Sequence, residues 1–278
     1  ELQDIRIDKY LNEFLKDNSR TYIQKLIKNG NVLVNDNPCK ANYRVQSEDR
    51  ISVDIPTPVT ADILPENIPI DIIYEDDDIL IVNKPKDLVV HPAPGHYTGT
   101  LVNALMYHCK DNLSNINGVL RPGIVHRIDK DTTGALIVCK NDYSHNFIAT
   151  QLKEHSITRE YVGIVCGVVK DDKGVIDAPI GRNKIKRKEM CINELNGKNA
   201  VTQYEVIRRF EKYTLMKFNL ETGRTHQIRV HMASINHPLL GDEIYNRNKC
   251  PFKLQGQCLH ARTIGFIHPT TKKYVEFE

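Results

Sequence analysis

Two short segments hold side chains whose types and spacing could do chemistry. Arg121 to Gly134 reads R-P-G-I-V-H-R-I-D-K-D-T-T-G, with Asp129 close to both Arg127 and Lys130, and an apolar strand-like run, Ala135 to Cys139, follows at once. Pro-Gly at one end and Thr-Thr-Gly at the other mark irregular backbone. Nearby cations favour the charged form of a carboxylate, and a charged, positioned carboxylate is what a nucleophile needs. One Asp beside one Arg is, taken alone, more often a surface ion pair. The second segment, Glu221 to His231, reads E-T-G-R-T-H-Q-I-R-V-H. Thr222 or Thr225 is placed to cap a helix that carries Gln227 and Arg229 in its first turns. His226 and His231 are five apart, and helical geometry turns the second away from the first, so a shared metal is not expected.

Composition narrows the alternatives. Seven cysteines are scattered through the 278 residues, odd in number and never spaced C-x-x-C, which disfavours a disulfide framework and a cysteine-rich zinc site. Apolar residues make up 40% and charged residues 26%, ordinary for a globular protein. No apolar run reaches the length of a membrane span and no signal-peptide pattern opens the chain, so a cytoplasmic protein without membrane contact is expected. The 38 basic residues exceed the 35 acidic ones by only three, a weak pointer to nucleic acid. Distribution says more: Lys184, Lys186, Arg187 and Lys188 form one basic run, and Arg121, Arg127 and Lys130 surround Asp129.

The elements that must position these segments fall into two parts. Residues 1–58 read as a small module. Asp8 is placed to cap a first helix with an apolar side of Tyr10, Leu11, Phe14 and Leu15, and Ser19 to cap a second with Ile23, Leu26 and Ile27 at core spacing. Arg20, Gln24 and Lys28 share another face of the second helix, and two strand-like runs follow Asn29-Gly30. Residues 56–69 contain four prolines and no clear period; the linker is assigned to 59–69. From residue 70 to 278, strand signals dominate: Ile79 to Val82, Ala135 to Cys139, Tyr161 to Val165, Val201 to Ile207 and Thr214 to Leu220. Helical patterns appear at 99–108, 142–155 and 224–235. Strands that succeed one another without helices favour α+β, with a mixed, largely antiparallel sheet.

With these motifs in order, a family resemblance emerges. H-R-I-D-K-D-T-T-G (126–134) resembles the H-R-L-D-x-x-T-S-G signature of the pseudouridine synthases of ribosomal and transfer RNA, and E-T-G-R-T-H-Q-I-R-V-H resembles their C-terminal motif. T-R-E-Y, ending at Tyr161, resembles the motif between them, and N-K-P (83–85) and H-P-A-P-G-H (91–96) also agree. Asp87 stands where many members have glycine. The N-terminal module resembles a small RNA-binding domain shared with a small-subunit ribosomal protein, and the whole is most similar to the large-subunit synthase D subgroup.

The resemblance implies Asp129 as catalytic aspartate, Tyr161 as the tyrosine that stacks on the base, and Arg229 as the cation paired with Asp129. It implies Arg127 as the arginine that fills the space of a flipped uridine. His126, Arg224, Gln227 and Lys84 are assigned to substrate binding, and Arg20, Gln24 and Lys28 to RNA binding. The implied reaction isomerises uridine to pseudouridine in structured RNA, most of all 23S ribosomal RNA or a pre-50S particle. It needs neither cofactor nor metal and is expected of a monomer. Flipping the target out of its stack favours loops. Two rivals remain: a non-catalytic ribosomal RNA-binding or assembly protein on the same fold, and a carboxylate hydrolase, which would want a second placed acid or a metal cluster.

Overall fold

A computed structural model describes the chain apart from residues 1–3, 16–18, 56–62, 94, 111, 119, 187–188 and 247–249. Arg187, Lys188 and the linker positions 59–62 thus lie outside the described residues. Residues 1–60 and 61–278 form two compact units. Among the described residues no helix is long and apolar enough to cross a membrane.

In the first unit, helices α1 (Ile7–Phe14) and α2 (Arg20–Lys28) pack beside a small antiparallel sheet in the order β2-β1-β3, formed by β1 (Val32–Val34), β2 (Asn37–Pro38) and β3 (Ile51–Val53). Ile7, Leu11, Ile23, Leu26, Ile27 and Val32 make its core. Ser19 caps α2 as expected, accepting from Tyr22 N. Asp8 does not cap α1. Arg6 holds that position without a capping bond, and Asp8 sits two residues further in, its side chain wholly buried. It accepts from Arg6 Nε at 3.0 Å, Arg20 Nη2 at 2.8 Å and Gln24 Nε2 at 2.6 Å. Phe14, expected inside, is 61% exposed.

The second unit is built on a nine-stranded sheet. Its strands are β4 (Asp71–Glu75), β5 (Ile79–Lys84), β6 (Thr133–Cys139), β7 (Thr158–Cys166), β8 (Lys173–Asp177), β11 (Val201–Arg209), β12 (Tyr213–Leu220), β13 (Leu259–Ile267) and β14 (Tyr274–Phe277). The order is β4-β5-β6-β13-β7-β12-β11-β8, with β14 on β13. Only β6 and β13 pair in parallel among these strands, which agrees with the mixed, largely antiparallel expectation. A separate hairpin joins β9 (Ile180–Arg182) to β10 (Met190–Ile192). Among the described residues three helices complete the unit: α3 (Leu101–Cys109), α4 (Asp142–Lys153) and α5 (Gln227–Ser234).

Strand alternation explains why β5 and β6 are apolar at nearly every position. Leu80, Val82, Leu136 and Val138 point into a core that includes Leu101 and Leu105 of α3. Ile79, Ile81, Ile137 and Cys139 point to the other face, with Ile148 of α4. The segment 63–69 is no loose tether. Ile63 is buried in the first of these cores, Leu64 O accepts from Asn103 Nδ2 at 2.9 Å, and Glu66 Oε1 accepts from Gly99 N at 3.0 Å.

Candidate active site

The loop that bears Asp129 is clamped on both sides. Before it, Cys139 N donates to Gly123 O at 2.9 Å; after it, Thr133 and Gly134 make the parallel pairing of β6 with β13. Gly134 has φ +111°, and a Cβ there would lie 2.1 Å from Ala261 O. Only glycine lets the strand close directly behind the loop. Ile128 is buried in the core, so its neighbour Asp129 turns outward, its side chain 16% exposed.

Lys84 secures the same loop from beneath. Its fully buried ammonium donates to Pro85 O, Leu88 O and Lys130 O at 2.7, 2.9 and 2.8 Å. Burial brings its pKa down to about 8, against the pull of Asp131 and Asp129. All three ammonium hydrogens are spent on carbonyls, and Lys84 does not line the cleft described below. Its assignment to substrate binding is corrected to a positioning role. Asp87 takes φ +62° in the turn that follows, the left-handed conformation glycine adopts freely and Asp tolerates better than most residues. Lys130 pairs with Asp87 at 2.6 Å, not with Asp129.

Arg229 reaches Asp129 from α5. Its Nη1 donates to Asp129 Oδ2 at 3.0 Å. Its two-pronged contact goes to Asp242, through Nε at 2.7 Å and Nη2 at 3.0 Å. Asp242 is buried and also accepts Ile244 N at 2.9 Å and Tyr245 N at 3.0 Å. Burial opposes the charge on Arg229, but its bonds to Asp242 and the field of Asp129 outweigh this and raise its pKa. The guanidinium is therefore fixed by Asp242 and offers its remaining edge to Asp129.

The helix starts differently from expectation. Neither Thr222 nor Thr225 caps it. His226 occupies that position with φ +58° and no capping bond, while Gln227 Oε1 folds back to accept Thr222 Oγ1 at 2.8 Å and Arg224 N at 2.9 Å. Gln227 Nε2 is spent on Val201 O and Thr202 Oγ1, so Gln227 braces the motif and has no group left for substrate. His226 Nδ1 lies 2.7 Å from Tyr245 Oη, and its Nε2 is 3.9 Å from Asp129 Oδ1. Tyr245 Oη accepts from Met190 N at 2.8 Å, and its ring lies 5.1 Å from the Arg229 guanidinium. His231 contacts Thr202 Oγ1 and Ala178 O.

These groups open on a cleft of about 530 Å³, in the size range of small-molecule sites. Asp129, Tyr161 and Arg229 all line it, with Arg127, Arg224 and the apolar Ile228 and Leu259. Burial pushes the Tyr161 phenol up to about 12, partly offset by Arg159 and reinforced by Asp129, so it keeps its proton at neutral pH. His126 belongs to the wall, but its Nε2 accepts from Ile137 N at 2.9 Å, and burial lowers its pKa to about 3. Arg127 is exposed and bonds to none of the described residues. Arg20 and Gln24, assigned to RNA binding, are both tied to Asp8; Arg20 and Lys28 are exposed and Gln24 is half-buried. Asp242, Tyr245, His226 and Arg159 were missed as site residues. Only Arg159 carried a usable signal, since T-R-E-Y on a strand puts it on the same face as Tyr161.

Among the described residues, Glu75, His108 and Cys109 have ligand-type atoms within 4.8 Å of one another. Lys140 Nζ already donates to that carboxylate at 2.9 Å, and the group does not line the cleft.

A family model described as RNA pseudouridylate synthase matches residues 78–234, and one described as S4 domain matches residues 5–51. The chain is 54% identical to the uncharacterized RNA pseudouridine synthase YlyB of Bacillus subtilis, over 98% of this chain and 89% of that protein. It is 46% identical to the ribosomal large subunit pseudouridine synthase D of Zymomonas mobilis, over 98% and 89%. The solved structure of human RNA pseudouridylate synthase domain containing 1 superposes with a TM-score of 0.61 at 26% identity, covering 75% of this chain and 82% of that one. The chain belongs to the RNA pseudouridylate synthase family and is an RNA pseudouridine synthase that also carries an S4 domain.

Proposed function

We propose that this synthase acts on uridine in large-subunit (23S) ribosomal RNA and that Asp129 is its nucleophile. One observation carries the assignment: Asp129 is held by a pre-set Arg229 at the wall of a cleft that Tyr161 also lines. The isomerisation breaks the bond from C1′ to N1, makes one from C1′ to C5 and moves the C5 proton to N1, so no atom enters or leaves. Asp129 forms the covalent adduct, at C1′ or at C6 of the base. Tyr161 supplies an aromatic face and, as a protonated phenol, a donor. Arg127 on the rim is suited to occupy the stack that the flipped uridine vacates.

The ribosomal substrate is supported by relatives named ribosomal large subunit pseudouridine synthase D at 40–46% identity, and a cytoplasmic setting follows from it. Residues 1–58 serve as the RNA-binding domain and residues 70–278 as the catalytic one. The test is to map pseudouridine in large-subunit ribosomal RNA from cells with and without this protein. One or more sites should be lost with the gene and restored by its return. An unchanged map would reject the ribosomal target, and a purified chain that binds ribosomal RNA without modifying any RNA would favour the assembly-protein reading.

A further inference from the structure

Arg159 lines the cleft yet has no part in the chemistry above. It precedes Tyr161 by two residues on β7, so both side chains leave the same face of the strand. Its Nη2 donates to Leu220 O at 3.4 Å and Glu221 O at 3.0 Å, at the end of β12. Its Nε is buried without a partner, and Nη1 bonds to none of the described residues. Burial lowers its pKa, Tyr161 opposes this, and the neighbouring Arg224 adds to it. No carboxylate among the described residues pairs with it: of the residues lining the cleft Asp129 alone is acidic, and it is bound to Arg229, whereas Lys153, His155 and Arg224 share the wall with Arg159.

A half-buried cation whose Nε is wholly enclosed, with unspent donors and like-charged neighbours, is unfavourable until an anion arrives. The chain makes room for it. A Cβ at Gly223 would lie 2.7 Å from Arg159 Nη1, and Gly223 is not among the glycines with positive φ. Glycine there leaves the guanidinium its present place, which a Cβ would push it out of.

We infer that Arg159 binds a backbone phosphate next to the target uridine, donating from Nη1 to a non-bridging oxygen, with Arg224 and Lys153 flanking. The inference rests on the pseudouridine-forming reading of the cleft. A phosphate fits better than a uracil carbonyl, because a neutral acceptor would leave the cluster's repulsion in place. A fixed phosphate also gives the flipping nucleotide a pivot.

The test is steady-state kinetics and equilibrium binding on a short stem-loop RNA. Arg159→Ala should raise KM and Kd on the order of tenfold or more, the scale of a lost charged hydrogen bond, with kcat within about threefold. Arg159→Lys should recover part of the loss. Gly223→Ala should mimic Arg159→Ala by displacing the guanidinium, and the two together should be no worse than Arg159→Ala alone. An uncharged methylphosphonate linkage on one side of the target should weaken the wild type by a similar factor and leave Arg159→Ala unaffected. If neutral linkages on either side weaken both proteins equally, or neither, the contact is not to phosphate. A fall in kcat with KM and Kd unmoved would likewise overturn the assignment. Binding judges Arg159 even if the wild type modifies none of these RNAs, a result that would count against the parent reading alone.

Discussion

Asp242 sets the chemistry of Arg229 more firmly than Asp129 does. It takes two of the three guanidinium nitrogens and two backbone amides, so the third nitrogen is aimed before any RNA arrives. Asp242→Asn should therefore lower kcat by on the order of tenfold to a hundredfold, the cost of a misplaced catalytic group, while RNA affinity changes little. One amide end must face either a guanidinium N–H or a backbone N–H, so the brace loosens. Turnover and binding on the same stem-loop separate the two effects, and an unchanged kcat would show that Arg229 needs no brace. Asp129, Tyr161 and Arg229 were legible because each stands in a dense local motif. Asp242 was not, because it lies thirteen residues beyond Arg229, across the end of α5 and a turn, where no spacing rule connects them.

Helices and strands were easier to read where their pattern was local. Ser19 announced α2, and β5, β6, β7, β11 and β12 announced themselves by β-branched runs. The short strands β8, β9 and β10 have little apolar periodicity, and β13 and β14 went unread although they complete the sheet. Asp8 was misplaced for a physical reason: an acidic residue near a helix start looks alike whether it caps backbone amides or gathers side chains from another helix. Hydrogen bonds from Gln24, Arg20 and Arg6 overcome the burial cost and lower its pKa to about 2 from 3.8. The sign follows: the tie stabilises the unit above the ordinary carboxylate range and is lost as pH falls from 3.8 towards 2. Asp8→Asn should weaken hydrogen-exchange protection of α1 and α2 at pH 6, by about 1–3 kcal/mol for lost charged hydrogen bonds. Its difference from wild type should shrink as pH drops through that window. A difference that does not depend on pH would mean that packing, not charge, holds the two helices.

At the scale of the whole chain, the proposal is that one unit binds and the other reacts. Removing residues 1–60 should leave turnover on a short stem-loop within about threefold, because all cleft residues lie in 61–278. Affinity for large RNA should fall, and the salt dependence of binding should flatten as phosphate contacts are lost. A truncated chain that binds ribosomal RNA as tightly as the full one at low salt would assign residues 1–60 another purpose. The central claim is the nucleophile, and Asp129→Asn in the full chain tests it most directly. The amide keeps the shape of the carboxylate and removes its capacity to form the adduct. Under single-turnover conditions with excess enzyme, the variant should bind the stem-loop with affinity within about threefold of wild type and yield no pseudouridine. Readily measured pseudouridine from that purified variant would contradict the account.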